Sequence, residues 1–565
     1  MKVIFRVFWS WLLLSAPWQL SAQTTYIPQG DKQEIILDRL EIKAQRDPAL
    51  NYSKTKPLSR EAFVEQVRSY LNEDSTGLYL TPVDHYYMES LLKNNIEWLP
   101  EDLREAYRSK KPILKTFYGY PAGFIETHTK DFDLSINPMM NFGMMKEADN
   151  DQRLFYNSRG VAVRGKIANR IGFSASITDN QERNPTYVQN WITERQAVPG
   201  AGYYKEFKAA GGVDYFDARG YVTFGVTKYI DVAFGYDKNF IGNGQRSLFL
   251  SNFGNNNLFL KLNTRIWKFN YQNLFMELTN AHQAGTDRLL GKKYASLHHL
   301  DIGLTKWLNL GLFEGVVFGR TNRFELGYLV PVIFFRSIER NLGSPDNSIV
   351  GMDFKANVAK TAQLYGQLLL DEFKLSEVKA NKGWWANKFG YQLGAKYIDA
   401  FTIKNLDLQL EWNRVRPFTY THYDSVANYT HYNQPLAHPL MANFNEWTGV
   451  LRYRPMPRLM IEGRAIYYSQ GLDSTSNQNF GSNIFLPSTL GRPNDNGFYV
   501  GSGWKTDVAL ANLLVSYELK ENLFIDADFQ MRKQKYAAPP AAATKTSTVF
   551  SLGMRWNMGR RNFWF

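Results

Sequence analysis

Between Arg414 and Glu446 the sequence gathers Arg414, Arg416, Tyr420, His422, Tyr423, Tyr429, His431, Tyr432, Asn433 and His438 into one connection. These side-chain types recognise sugars. Aromatic faces stack on C–H surfaces, amides and imidazoles hydrogen-bond hydroxyls, and guanidinium groups pair bidentately with uronate or phosphate. The segment is a candidate glycan-binding surface, joined by Arg246, which a tight turn at Gly242-Asn243-Gly244 would present at a rim. A second reading stands beside it: a loop folded back to close the scaffold's mouth, its tyrosines simply packed.

Other chemistry finds less support. His422, His431 and His438 stand nine and seven residues apart, which suits no compact metal site, and no carboxylate or cysteine cluster completes a shell. Neither a Gly-x-Ser-x-Gly elbow nor a His-Glu-x-x-His run occurs, so no catalysis and no cofactor are expected. His282, His298 and His299 fall in or near strand-like runs and read as lumen or girdle residues.

The elements that would position such a loop follow from a period of two. Leu406, Leu408, Leu410 and Trp412 alternate with Asp407, Gln409, Glu411 and Asn413. Leu523, Ile525, Ala527, Phe529 and Met531 alternate with polar Asp526, Asp528 and Gln530. One face is dry and the other wet. The last such run carries Phe550, Leu552, Met554 and Trp556 on one parity and Ser551, Gly553, Arg555 and Asn557 on the other. Its parity slips before Phe563 and Phe565, as a bulge or a short tail at Gly559 would cause.

Runs of this kind recur from residue 131 onward, giving about 18 candidate strands, and very short links alternate with long ones. The long ones span 180–217, 239–256, 321–348, 414–445 and 469–506. The expected fold class is an all-β transmembrane barrel, antiparallel, with a small N-terminal α-helical unit. Composition agrees: 14 Trp, 33 Tyr and 38 Phe supply interfacial girdles, and 0 Cys leaves closure and ladder hydrogen bonds to hold the fold. Lumen-side Gln363, Gln367, Asp371, Asp407, Glu411, Glu462 and Arg464 read as a solvated or mutually paired interior.

Upstream, Lys2 and Arg6 precede an apolar run from Val7 to Ala16, and Leu20-Ser21-Ala22 makes a small-residue cleavage site, so residues 1–22 read as an export signal. Residues 23–130 form the helical unit, periplasmic or plugging the lumen, with a helix over 59–72, a second capped by Thr81 and running to about Trp98, and a third opening at Pro100. Residues 131–565 form the barrel with its long extracellular loops. The helical unit is nearly neutral, so the basic excess of the chain belongs to the barrel, where it would attract acidic polymers or lipopolysaccharide.

Several segments resemble the Wzi-like capsule-assembly outer-membrane barrels, particularly the gliding-motility-associated branch of Bacteroidota. They are Asn243-Gly244-Gln245-Arg246-Ser247-Leu248, Trp267-Lys268-Phe269-Asn270-Tyr271, Leu369-Leu370-Asp371-Glu372-Phe373 and Glu411-Trp412-Asn413-Arg414-Val415-Arg416-Pro417. The most specific is Tyr429-Thr430-His431-Tyr432-Asn433-Gln434-Pro435-Leu436-Ala437-His438-Pro439-Leu440, followed here by Met441 where the family often has glycine. The resemblance implies a non-enzymatic lectin integral to the outer membrane of a Gram-negative bacterium, with a helical bundle at its periplasmic end, that binds or organises surface polysaccharide. Membrane lipid, lipopolysaccharide and secretion or motility proteins are the further partners it implies; nucleic acid is not one. A plugged or open transport channel, and a structural partner of a secretion or motility complex, are the alternative functions.

Overall fold

A computed structural model describes residues 24–565 apart from 73–76, 169, 210, 285–288, 321–322, 474–477 and 538–542. The expected export signal, with its cleavage site, lies outside the described residues, as does the side chain of His282.

Antiparallel pairing runs around a complete ring of 18 strands. The wall begins with β1 (Phe132–Glu147), β2 (Leu154–Ile167), β3 (Ile171–Arg183), β4 (Gly212–Thr227), β5 (Ile230–Asp237) and β6 (Asn257–Ile266). It continues with β7 (Phe269–Ala284), β8 (Leu290–Gly303), β9 (Leu308–Phe318), β10 (Asn347–Val358), β11 (Ala362–Glu372) and β12 (Lys388–Tyr397). It closes with β13 (Leu406–Val415), β14 (Phe444–Met456), β15 (Leu459–Leu472), β16 (Trp504–Lys520), β17 (Leu523–Tyr536) and β18 (Ala543–Trp556). The seam joins β18 to β1, from Val549 opposite Glu147 to Trp556 opposite Met140. The sheet starts earlier than the change of period suggests, because Ile125–His128 already pairs with β1.

Alternation sorts the two faces as a bilayer requires. On β13, Leu410 is 53% exposed on the outside while its neighbour Glu411 is 1% exposed within. Leu513, Phe529, Phe550 and Leu552 are likewise outward and exposed. No helix among the described residues is long and apolar enough to cross a membrane; the strands do the crossing. One end of the wall has tight turns such as Lys228-Tyr229, Trp267-Lys268 and Glu521-Asn522, and the other carries the long connections 184–211, 238–256, 319–346, 416–443 and 473–503.

The N-terminal unit sits in the tight-turn end of this ring. Its helices are α1 (Lys32–Ala44), α2 (Arg60–Asn72), α3 (Pro82–Lys93) and the short α4 (Glu101–Ala106). Thr81 caps α3 in a reciprocal box with Asp84, as its position before Pro82 requires. That helix stops at Lys93, and Ile96–Trp98 form a separate 3₁₀ turn. Ile36, Leu40, Val64, Val67, Met88 and Leu91 make the unit's own core.

Its other faces meet the wall through charge. Arg39 of α1 binds Asp84 at 2.8 Å, Asp399 at 2.9 Å and the lumen carboxylate Asp407. Lys355 reaches Glu41 at 2.6 Å, Lys396 reaches Asp38 at 2.8 Å, and Arg164 reaches Glu97 at 2.8 Å. Helix α1 is absent from the sequence reading for this reason: Arg39, Glu41 and Lys43 are buried against partners, so no clean apolar stripe marks it.

Candidate functional site

Above the helical unit the lumen is filled by connections that turn inward. The segment 240–250 begins as a two-residue strand, Phe240–Ile241, paired with Thr55–Lys56 of the N-terminal unit. It then hangs from wall residues: the backbone N–H groups of Gln245 and Arg246 donate to Glu411 at 2.7 and 3.1 Å, and that of Leu248 donates to Gln367 at 2.8 Å. Arg246 therefore lies inside the barrel and not at its rim, with its guanidinium on Glu446 and on the carbonyl oxygen of Trp564. Of the lumen carboxylates expected to be solvated or paired, Glu462 pairs with Arg452 at 2.7 Å and Arg464 at 3.1 Å and Asp407 with Arg454 at 3.1 Å, whereas Glu411 and Asp371 accept backbone N–H groups of the inward connections.

The connection 416–443 forms a lid over this filling. The Tyr420 and Tyr429 rings stack at 5.6 Å, and their hydroxyls donate to the carbonyl oxygens of Leu248 and Phe249 at 2.9 and 2.6 Å. His431 joins two elements: its Nδ1 accepts from the Thr279 backbone N–H at 2.9 Å, and its Nε2 lies 2.9 Å from the Asn256 carbonyl oxygen. His438 packs on Phe444 and places Nε2 2.8 Å from Glu446. Asn433 donates to the Arg195 carbonyl oxygen at 2.9 Å, and the His422 ring lies on Tyr423. Arg416 donates to the carbonyl oxygens of Asn387, Trp384 and Phe498, tying neighbouring connections together.

Arg414 stands apart. Its parity on β13 is that of Leu410 and Trp412, so it faces outward, away from the lid. Tyr432 is half-buried. The three histidines do not converge, each being held by different neighbours. Met441, where the resemblance places glycine, has a φ of 64°, so a left-handed residue is required here and this chain meets the requirement with a side chain.

Burial pushes the His431 pKa down to about 4, and an Nδ1 that accepts a hydrogen bond must belong to a neutral ring. A folded-state value below the unfolded value of about 6.5 means that acid destabilises the docked lid, progressively as pH falls from about 6.5 to about 4. Amide protection at Thr279 and across 429–433, taken relative to intrinsic exchange at each pH, is expected to fall between pH 7 and pH 5. His431→Gln should abolish that pH dependence.

After Trp556 the chain leaves the wall and turns into the lumen, which accounts for the parity slip. Arg560 pairs with Asp528, and Arg561 pairs with Glu182 at 3.2 Å. The Phe563 carbonyl oxygen accepts from Tyr187 at 2.7 Å, and Arg464 lies 3.6 Å from the Trp564 ring centre. Phe565 ends among Tyr187, Trp191 and Phe253. Tyr187 and Trp191 belong to helix α5 (Thr186–Arg195) of the first long connection, so tail and lid share one apolar cluster.

At the outer rim a cavity of about 340 Å³ lies between β10, β11 and the connection after β11. Trp384 lines it together with Arg336, Lys374, Asp371 and Glu372. The Lys374 ammonium stands 5.4 Å from the Trp384 ring centre. An aromatic plane with both cations and carboxylates around it is a sugar-accepting arrangement. The adjacent Trp384-Trp385 pair in a rim connection is the signal that sequence reasoning passed over.

No family model and no curated protein matches this chain. Among solved structures, Wzi from Escherichia coli is similar over 96% of this chain and 100% of its own, with a TM-score of 0.56 and 12% sequence identity. The fold is shared with Wzi. That protein is described as an outer-membrane, carbohydrate-binding β-barrel involved in group 1 capsule assembly. OprD of Pseudomonas aeruginosa covers 75% of the chain and 94% of its own at a TM-score of 0.41 and 11% identity. OccAB2 of Acinetobacter baumannii covers 75% and 98% at 0.40 and 10%. The Wzi likeness takes in the N-terminal helices as well as the wall, as coverage of nearly the whole chain requires. Closed wall, outward apolar face and shared fold make this an outer-membrane barrel.

Proposed function

We propose that the protein is a closed, non-catalytic outer-membrane barrel that holds surface polysaccharide at its outer end. The observation that carries this reading is the rim cavity at Trp384, open beside a lumen occupied by the barrel's own segments from one mouth to the other. The fold shared with a carbohydrate-binding barrel supports it. A scaffold whose interior is given over to ion pairs and packed aromatic rings presents ligands at its surface and does not pass them through.

Purified protein is expected to bind acidic exopolysaccharide with an affinity that falls as salt screens the basic groups. Trp384→Ala should weaken that binding about tenfold, the equivalent of roughly 1.4 kcal/mol of lost stacking and cation–π contact. The triple change Arg414→Ala, Arg416→Ala, Tyr432→Ala separates two surfaces. If it removes binding while Trp384→Ala does not, the polysaccharide lies on the connection 414–446 instead. Absence of binding to every surface glycan tested by calorimetry or glycan array rules the function out.

A further inference from the structure

One row of the wall breaks the rule that outward residues are apolar. Following the ladder from strand to strand, the outward positions read Ile171, Phe224, Val232, Leu262, Asn273, His298, Glu314, Val350, Leu370 and Phe389. Three consecutive polar residues sit in a band that is apolar on both sides of them. All three are buried, because part of the connection 319–346 descends over them on the outside of the wall.

This strap packs Tyr328 and Phe335 onto the outward faces of Tyr294, Val316 and Phe318. The Phe335 ring lies 4.0 Å from His298, the Arg336 backbone N–H donates to Glu314 at 3.2 Å, and the Tyr271 hydroxyl donates to the Pro331 carbonyl oxygen at 2.6 Å. Beyond Pro331 the chain turns back up through helix α6 (Phe335–Asn341). Between the Tyr294 and His298 positions the strap spans roughly 13 Å of wall. From Leu326 to Phe334 the far side of the strap is apolar and uncovered, with Leu326 71% exposed, Val332 82% and Phe334 77%; the exposed Arg336 and Arg340 follow in α6, where the chain has turned back up.

We propose that residues 326–335 are embedded in the lipid of the outer leaflet, their apolar side on acyl chains and their other side on the outward row of the wall. The row itself supplies the argument. Irregular backbone at membrane depth must have its N–H and C=O groups satisfied by protein, and outward polar residues there must be covered. Strap and row meet at these groups: Glu314 accepts from the Arg336 N–H, Tyr271 donates to the Pro331 carbonyl oxygen, and Pro331 brings no N–H to satisfy. The outward positions Leu370 and Leu262, on either side of the polar stretch, fix the depth as apolar residues of the same row.

The absence of cysteine from the chain makes a clean test. Spin labels are placed singly at Val332→Cys and Phe334→Cys, with Leu513→Cys as the lipid-facing reference and Tyr423→Cys as the outer-loop reference, in lipid vesicles at high lipid-to-protein ratio. Collisions with oxygen report lipid, and collisions with a water-soluble nickel chelate report solvent. The strap labels are expected to match Leu513→Cys, with strong oxygen contact and loss of the nickel signal. A nickel signal like that of Tyr423→Cys overturns the proposal by placing the strap in water. Loss of both signals overturns it too, because the surface is then covered by a second copy.

Discussion

Arg39→Met is expected to unseat the N-terminal helices while leaving the wall closed. Arg39 is 1% exposed and holds Asp84, Asp399 and Asp407 from one guanidinium. Burial would raise the Asp84 carboxyl, but Arg39 and then Lys43 outweigh it and hold the group well below the usual carboxylate range. Without Arg39, the three carboxylates keep direct ion pairs among the described residues only with Lys43, at 2.7 and 3.0 Å, and Arg454, at 3.1 Å. Breaking a buried network from one side costs about 3–5 kcal/mol, and the remaining cations bring the expected loss to the lower end, about 3 kcal/mol. In urea the helical circular dichroism signal should vanish at lower concentration than in the parent, while the heat-modifiable gel shift of the closed barrel is unchanged. Coincident loss of both signals, or no change in either, contradicts the account of how α1 is seated. Arg39→Lys should fall between, because one ammonium cannot serve three carboxylates.

The second large effect concerns conductance. In planar bilayers the intact protein is expected to be silent, and so is a variant lacking residues 24–106. The helices stopper only the tight-turn end; above them the lumen still holds 240–250, the lid and the inward tail. Removing residues 24–106 together with 559–565 takes away the lower stopper and the tail's contacts with Asp528, Glu182, Tyr187 and Arg532. Because 240–250 and the lid stay hung from Glu411, Gln367 and Thr279, that double deletion is expected to give only brief, small openings, well below the conductance of an unobstructed 18-stranded ring. Channels in the intact protein would favour a transport function over a surface-binding one.

The wall was legible in the sequence because a lipid-facing strand has to alternate. Leu410 and Glu411, or Phe529 and Asp528, differ in polarity as sharply as they differ in exposure. The same rule fails wherever protein replaces lipid or water. Asn273, His298 and Glu314 look like lumen residues by chemistry and face outward, because the strap covers them. Val508 and Leu510 look like lipid-facing residues and point inward, because packed loops line the upper lumen.

At the site, residue type was a poor guide to exposure. Tyr420, Tyr429, His431 and His438 have the chemistry of sugar contacts, but their polar atoms are engaged by Leu248, Phe249, Asn256 and Glu446. Leu248, Phe249 and Asn256 are remote in sequence and Glu446 lies on the wall beyond the connection, so no local pattern marks them. The rim cavity at Trp384 likewise joins β10, β11 and α6, which only the closed ring brings together.

The inward tail also constrains the order in which the molecule is made. From the turn at Asn522 it climbs to the level of Arg532, roughly 30 Å along β17. It lies inside a ring whose seam is formed by the strand directly before it and by β1. A hoop already zipped would have to admit this peptide through a mouth that α1 to α3 occupy. In a ring already zipped, the tail must therefore pass before α1 to α3 are seated, which makes the helical stopper the last piece set.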